Sequence, residues 1–231
     1  MLVLFDIDGT LITSRRAGVD AMVRAGVDLY GSFTDAGVEY AGRLDPLIVE
    51  DLLSRNGHAP TPGAIAAFRA AYVGHLSTLL EEPGRARTLP GVDILVAALH
   101  ADPEVTLGLL TGNFAESGRV KLEASGVGVD RFEICVWGDD SPQTPPHRDH
   151  LPAVAIERCR NEKDDALDAE SVVLIGDTPH DIRCAHANGC VALGVATGMF
   201  AEADLADADL VAYDLSNTQE VLAWIKQPIR A

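Results

Sequence analysis

Short apolar runs that end in polar residues alternate with helical patterns along most of this chain. Each run is as long as a strand buried on both faces, and glycines that can adopt a left-handed conformation close the helical patterns between them. Strands that alternate with helices predict parallel β-α-β units, and therefore an α/β fold with a doubly wound parallel sheet. The predicted strands are residues 2–5, 105–110, 134–137, 172–175 and 191–195.

One stretch interrupts this alternation. Between residues 14 and 87 the pattern is helical, with Asp45-Pro46 and Thr61-Pro62 as helix starts. An insert of roughly 70 residues is too long for an ordinary loop. We interpret it as an α-helical cap domain over a core formed by residues 1–13 and 88–231. The alternative is a helical decoration that only enlarges the core.

The charge of the chain limits its partners. The formal net charge is -17 and the pI is about 4.6, so nucleic acid and anionic membranes are not expected partners. No apolar stretch is long enough to span a bilayer, and the N-terminus lacks the pattern of a signal peptide, so we expect a cytoplasmic protein. An anionic substrate would also be repelled unless the site supplies positive charge or a metal ion. The sequence makes no prediction of oligomeric state.

Polar clusters follow three of the predicted strands, at the carboxyl ends where such sheets bind ligands. They contain the aspartates Asp6, Asp8, Asp177 and Asp181. Converging carboxylates repel one another unless a cation is present, and oxygen-only ligands favour a hard ion such as Mg²⁺. The sequence therefore predicts a magnesium site at this edge of the sheet.

The same clusters predict phosphoryl chemistry. Of the pair Asp6 and Asp8, one carboxylate can attack phosphorus, while the other protonates the leaving oxygen and then deprotonates the attacking water. The hydroxyl of Thr111 and the unobstructed amide of Gly112 can bind phosphate oxygens.

These motifs resemble those of the haloacid dehalogenase superfamily, and more closely its phosphoglycolate-phosphatase-like branch. The matching segments are FDIDGTL from Phe5, LLTGN from Leu109 and IGDTPHDI from Ile175. The resemblance implies a Rossmann-like core with an α-helical cap. It implies a Mg²⁺-dependent phosphatase that hydrolyses a small phosphorylated metabolite through an aspartyl-phosphate intermediate. Two alternatives are a phosphotransferase such as a sugar-phosphate mutase, and a non-catalytic binding protein that kept the fold.

The resemblance also implies residue roles. Asp6 would be the nucleophile and a metal ligand. Asp8 would be the acid/base and would bind the metal through its backbone carbonyl. Asp177 would be the third metal ligand, Asp181 would support the metal site, and Thr111 would bind phosphate.

Two basic residues compete for the role of the phosphate-site cation. The Lys-Pro-x-Pro form that is common in the family is absent. Arg148 follows a proline-rich loop and resembles the arginine that some relatives use, so we favour it. Lys121 is the rival, but we place it in the middle of a helix and pointing to solvent.

The predicted cap contains a further basic candidate. Related caps have a Gly-[Lys/Arg]-x-Asp turn that contacts substrate, and Gly42-Arg43-Leu44-Asp45 matches it. The planar fork of Arg43 suits a carboxylate or a second phosphate. The alternative is a solvated arginine at a helix start.

Overall fold

The computed structural model describes residues 1–163 and 166–227. Predictions for the core that concern residues 164–165 and 228–231 lie outside these ranges. The strands are β1 (Leu2–Phe5), β2 (Ile12–Thr13), β3 (Arg87–Thr88), β4 (Thr106–Leu110), β5 (Ile134–Val136), β6 (Val172–Gly176), β7 (Val191–Val195) and β8 (Leu210–Ala212). The helices are α1 (Ala17–Tyr30), α2 (Asp45–Arg55), α3 (Pro62–Leu80), α4 (Val92–His100), α5 (Ala115–Ser125), α6 (Leu151–Glu162), α7 (Pro179–His186) and α8 (Thr218–Ile225).

The main sheet has six parallel strands in the order β5-β4-β1-β6-β7-β8. Its central strand β1 is fully buried because successive side chains enter opposite apolar layers. Val3 and Phe5 belong to a cluster with residues of α4 and α8, whereas Leu2 and Leu4 belong to a cluster with residues of α6 and α7. Helices therefore cover both faces of the sheet, and the predicted doubly wound α/β fold is confirmed.

Two features of the core differ from the sequence predictions. Strand β8 was not predicted, because it has only three half-buried residues at the edge of the sheet. Ser216 and Gln219 have the spacing of a capping box, which predicts a helix start at Ser216. The helix instead begins at Thr218, with Asn217 at the N-cap, and the amide of Ser216 donates to Asp214 Oδ1 at 2.8 Å.

The three helices α1, α2 and α3 form a helical segment, residues 17–80, whose apolar cluster also includes Phe114 at the start of α5. The strands that precede and follow this segment, β2 and β3, pair in an antiparallel ribbon, in which Ile12 pairs with Thr88 and Thr13 with Arg87. This ribbon was not predicted, because each of its strands has only two residues. The helical character of the insert agrees with the sequence pattern, and its assignment as a cap domain stays a prediction.

Helix starts in this segment follow the sequence closely, with one correction. Thr61 is the N-cap of α3, and its side chain accepts a hydrogen bond from Ala64 N at 3.2 Å. Asp45, expected at an N-cap, is instead the first residue of α2, and Leu44 occupies the N-cap. Its side chain is used elsewhere, as described below. Within residues 1–163 and 166–227, no helix is both long and apolar enough to cross a membrane.

Candidate active site

The carboxyl ends of β1, β4 and β6 lie side by side at one edge of the sheet. Strand β1 pairs with β4 on one side and with β6 on the other. Asp6, Thr111 and Asp177 directly follow these three strands, and all three are buried. The structure therefore brings together the polar clusters that were predicted to meet here.

Asp6 is buried among other carboxylates and one guanidinium group. Its Oδ1 lies 3.3 Å from Arg148 Nη2. Burial raises the pKa of Asp6 to about 6; the charge of Arg148 opposes this shift, whereas Asp181 and Asp8 add to it. Protein groups therefore balance the negative charge of Asp6 only in part.

Asp6, Asp177 and Asp181 each offer a carboxylate oxygen, and these atoms lie within 4.8 Å of one another. Burial raises the pKa of Asp177 well above its usual value, and the charges of Asp181 and Asp6 raise it further. Three buried carboxylates this close repel one another, and a bound cation would remove the repulsion. Because all the donors are oxygen atoms, the group fits a hard divalent metal ion.

Gly9 makes the turn that brings the first polar cluster against Asp177. Its φ of +80° lies in the left-handed region, and a Cβ atom built on it would lie 2.3 Å from Asp177 Oδ2. Thr10 Oγ1 donates to Asp177 Oδ1 at 3.4 Å, and Thr197 Oγ1 donates to the carbonyl of Gly9 at 2.5 Å. The turn is therefore held from both sides, and glycine is required at its centre.

The carboxylate of Asp8 is held by a separate set of donors. Its Oδ2 lies 2.5 Å from Lys121 Nζ and accepts from Asn113 Nδ2 at 3.0 Å, while Ser14 Oγ donates to Oδ1 at 3.4 Å. Burial alone would raise the pKa of Asp8, but the charge and hydrogen bond of Lys121 and the other donors outweigh it and lower the pKa. Asp6 and Asp8 therefore have opposite electrostatic environments although only one residue separates them.

Lys121 was expected to point to solvent, and that prediction was wrong. Its side chain is 6% exposed, and Nζ donates to Asn113 Oδ1 at 2.5 Å as well as contacting Asp8. Lys121 follows Ser117 by four residues on α5, so both lie on the same, buried face of the helix. The small residues Ser117 and Gly118 were the sequence signal for a closely packed face, whereas the contact with Asp8, 113 residues earlier, has no local signal.

Arg148 lies at the strand ends, where its sequence position placed it. Its Nη2 lies 2.5 Å from Asp181 Oδ1, in addition to the contact with Asp6. The side chain is 4% exposed, and Nε has no hydrogen-bond partner among the described residues. The site therefore contains one buried cation beside Asp6 and another, Lys121, beside Asp8.

Thr111 and Gly112 form the loop between β4 and α5. Thr111 Oγ1 accepts from the backbone N and from Nδ2 of Asn113, at 3.3 and 2.8 Å. A Cβ atom on Gly112 would lie 2.1 Å from the carbonyl oxygen of Arg43 and 3.2 Å from Arg148 Nη1. Glycine at this position therefore allows the loop to touch both the guanidinium of Arg148 and the helical segment.

The guanidinium of Arg43 is engaged within the helical segment. Nη1 donates to the carbonyl of Glu39 and to Asp51 Oδ2, both at 3.1 Å. Only the backbone carbonyl of Arg43 packs against Gly112. Contact between this guanidinium and a substrate stays a prediction.

A cavity of about 410 Å³ lies between the helical segment and the strand ends. Its walls include Asp6 and Arg148 from the core, and Met22, Ile48 and Tyr72 from the helical segment. The volume exceeds what a phosphate group fills, so a small molecule attached to the phosphate can also be enclosed.

The chain matches a known family over most of its length. Residues 3–195 match the model of the haloacid dehalogenase-like hydrolases. The chain belongs to this family. The sequence resemblance is thereby confirmed, and this haloacid dehalogenase-like chain is a hydrolytic enzyme.

Two curated relatives share just over a quarter of their aligned residues with this haloacid dehalogenase-like hydrolase. It is 28% identical over 208 residues to a protein described as probable phosphatase IndB from Dickeya dadantii (strain 3937), with 86% of this chain and 82% of that protein covered. It is 26% identical over 200 residues to a phosphoglycolate phosphatase of Yersinia pseudotuberculosis serotype I (strain IP32953), with 85% and 81% covered. A solved structure, described as a predicted phosphoglycolate phosphatase from Haemophilus somnus 129PT, has a TM-score of 0.71 at 21% identity and covers 96% of this chain and 97% of its own. That structure supports the fold.

Proposed function

We propose that this hydrolase is a Mg²⁺-dependent phosphatase that cleaves a small phosphate monoester through an aspartyl-phosphate intermediate on Asp6. The observation that carries the proposal is the position of Asp6. It directly follows the central strand, lies beside the carboxylates of Asp177 and Asp181, and contacts the buried guanidinium of Arg148. Relatives described as phosphatases support the same reaction class.

In the proposed reaction, Asp6 is the nucleophile and Asp8 is the general acid and base. Asp6 attacks phosphorus, and the bond between phosphorus and the leaving oxygen breaks while Asp8 gives that oxygen a proton. Asp8 then takes a proton from water as the water attacks the phosphoaspartate, which releases inorganic phosphate and restores Asp6.

The remaining residues would bind the ion and the phosphate. The carboxylates of Asp6 and Asp177 and the backbone carbonyl of Asp8 would hold Mg²⁺, with Asp181 supporting the site. The bound ion would supply positive charge that balances the phosphoryl oxygens. Arg148 would add a second positive charge, and Thr111 and the Gly112 amide would donate hydrogen bonds to the same oxygens.

The helical insert would serve as a cap over this chemistry. We propose residues 14–87 as the cap and residues 1–13 and 88–231 as the core. The proposal is supported by the apolar cluster that joins the three helices, to which Phe114 at the start of α5 also belongs, and by the cavity that lies between that segment and the strand ends. The cap would select the part of the substrate that lies beyond its phosphate.

A screen of phosphorylated small metabolites tests the proposed function. The purified protein is incubated with each compound and Mg²⁺, and released phosphate is measured. We expect hydrolysis of p-nitrophenyl phosphate and of at least one small phosphate monoester. Transfer of phosphate to a second sugar without release would favour the phosphotransferase, and inactivity on every ester would favour a binding protein.

The two buried cations predict separable defects. Arg148→Ala should lower kcat about a hundredfold with every substrate, because Arg148 would act on the transferred phosphoryl group.

Lys121→Met should lower kcat about tenfold or more, because Asp8 loses the ammonium group that holds its carboxylate. Both are measured by steady-state kinetics with p-nitrophenyl phosphate. Arg119→Gln, which changes an exposed residue of the same helix α5, is the matched control and should retain wild-type kinetics. Wild-type rates for Lys121→Met would show that its contact with Asp8 has no role in turnover.

Arg43 predicts how the substrate is recognised. We expect Arg43→Ala to lower kcat/KM for phosphoglycolate by about 2–3 kcal/mol, the effect of truncating a buried charged contact. The loss with p-nitrophenyl phosphate should be much smaller, because that compound offers no second anion. The comparison needs kcat/KM for both substrates in wild type and variant. Because Asp51 holds the guanidinium, equal losses with both substrates would assign Arg43 to the internal stability of the helical segment.

A further inference from the structure

Asp45 is a buried carboxylate that has no task in the proposed phosphatase chemistry. It is the first residue of α2, within the helical segment, and it is 6% exposed. Burial raises its pKa to about 6, so an ionised carboxylate is costly at this position unless hydrogen bonds compensate for lost hydration. Its contacts explain why it is there.

Three hydrogen bonds join Asp45 to the start of α5 in the core. The backbone N of Asp45 donates to the carbonyl of Gly112 at 2.7 Å. Its Oδ2 accepts from Phe114 N at 2.9 Å and from Ser117 Oγ at 3.0 Å. A single residue of the helical segment therefore holds the core chain on both sides of Asn113.

These bonds supply a helix cap that α5 lacks in its own sequence. Phe114 is the N-cap of α5 and makes no side-chain capping bond. In a capping box, an acidic side chain at the third helical position accepts from the N-cap amide, but that position here is Ser117. The carboxylate of Asp45 accepts the hydrogen bond from the Phe114 amide instead. It lies at the N-terminus of α5, where negative charge is favourable.

The loop held in this way carries groups of the site. Asn113 Nδ2 donates to Asp8 Oδ2 at 3.0 Å and to Thr111 Oγ1 at 2.8 Å. If the helical segment moved away from the core, the Phe114 amide would lose its acceptor Asp45, and the Ser117 hydroxyl would keep only the carbonyl of Phe114, at 3.1 Å. The hydrogen bonds of Asp45 therefore exist only while the segment is seated on the core.

We propose that Asp45 is a positioning residue that couples the seating of the helical segment to the geometry of the loop formed by residues 111–114. The inference rests on the proposed function in one respect, which is that this loop binds the phosphate. Asp45 acts through Gly112 and Phe114 and does not touch the substrate.

The test compares Asp45→Ala with Asp45→Asn, which keeps a side-chain oxygen able to accept from Phe114 N. For Asp45→Ala we expect faster amide hydrogen exchange in peptides covering residues 112–118, and a kcat for p-nitrophenyl phosphate lowered about tenfold or more, because misplaced binding groups slow turnover. Asp45→Asn should restore most of both properties. Asp28→Ala is the matched control, since it removes an exposed carboxylate of the helical segment that pairs with His75 at the surface; it should behave like wild type.

The exchange measurement separates this inference from the proposed function. An inactive wild type would refute the phosphatase, and exchange in residues 112–118 would still decide the role of Asp45. Unchanged exchange and kinetics in Asp45→Ala would overturn the inference, as would equally faster exchange throughout the chain, which indicates general destabilisation. If Asp45→Ala does not fold, Ser117→Ala removes one of the two donors. Faster exchange confined to the start of α5 would then support the inference, and wild-type exchange would overturn it.

Discussion

Asp6→Asn should lower kcat about a thousandfold or more with every phosphate ester, because an amide cannot form the proposed aspartyl phosphate. The side chain keeps its shape, so the fold should persist. Steady-state kinetics with p-nitrophenyl phosphate measures the loss. Rapid quenching with a radiolabelled substrate should trap phosphate on the wild-type protein and none on the variant.

The matched control for this experiment is Asp28→Asn, the same chemical change at an exposed aspartate, which should leave both rate and labelling unchanged. A phosphohistidine in the labelled wild type would refute the proposed intermediate. An Asp6→Asn variant that turns over at the wild-type rate would do the same.

Removal of divalent metal should abolish phosphatase activity, with a fall of about a hundredfold or more in EDTA and recovery when Mg²⁺ is added in excess. The physical reason is the repulsion among Asp6, Asp177 and Asp181, to which the phosphate of a substrate would add further negative charge. The same ion should raise the melting temperature, because a ligand that binds only the folded state stabilises it.

Asp177→Asn provides the control for metal removal. It should lose the Mg²⁺-dependent rise in melting temperature together with the activity, which ties both effects to this cluster. Activity that persists in EDTA would contradict the metal assignment. A rise in melting temperature that survives in Asp177→Asn would place the stabilising ion elsewhere.

The strand ends could be predicted from the sequence because their signals are local. An apolar run that is followed by a polar residue, as before Asp6, Thr111 and Asp177, indicates where a strand ends and which side chain lies at that end. Parallel pairing then brings those residues together without further information. The same reasoning located Arg148, since the proline-rich loop before it must reach the same edge of the sheet.

What the sequence could not supply were pairings between distant segments. The sequence around Lys121 does not identify its partner, because the approach of α1 and α3 to α5 buries it beside Asp8. Asp45 has the sequence position of a helix cap, and it does cap a helix, but one that begins 70 residues later. Strand β8 is too short for its apolar residues to form a pattern.

The ribbon formed by β2 and β3 has a mechanical consequence. Both covalent connections between the core and the helical segment run through this ribbon. The ribbon lies close to Asp8, the proposed acid/base residue. Asp8 forms an isolated β-bridge with Ile12, and the amide of Gly9 donates to the Ile12 carbonyl at 2.9 Å. A displacement of the helices would therefore be transmitted to the backbone of Asp8 through the ribbon.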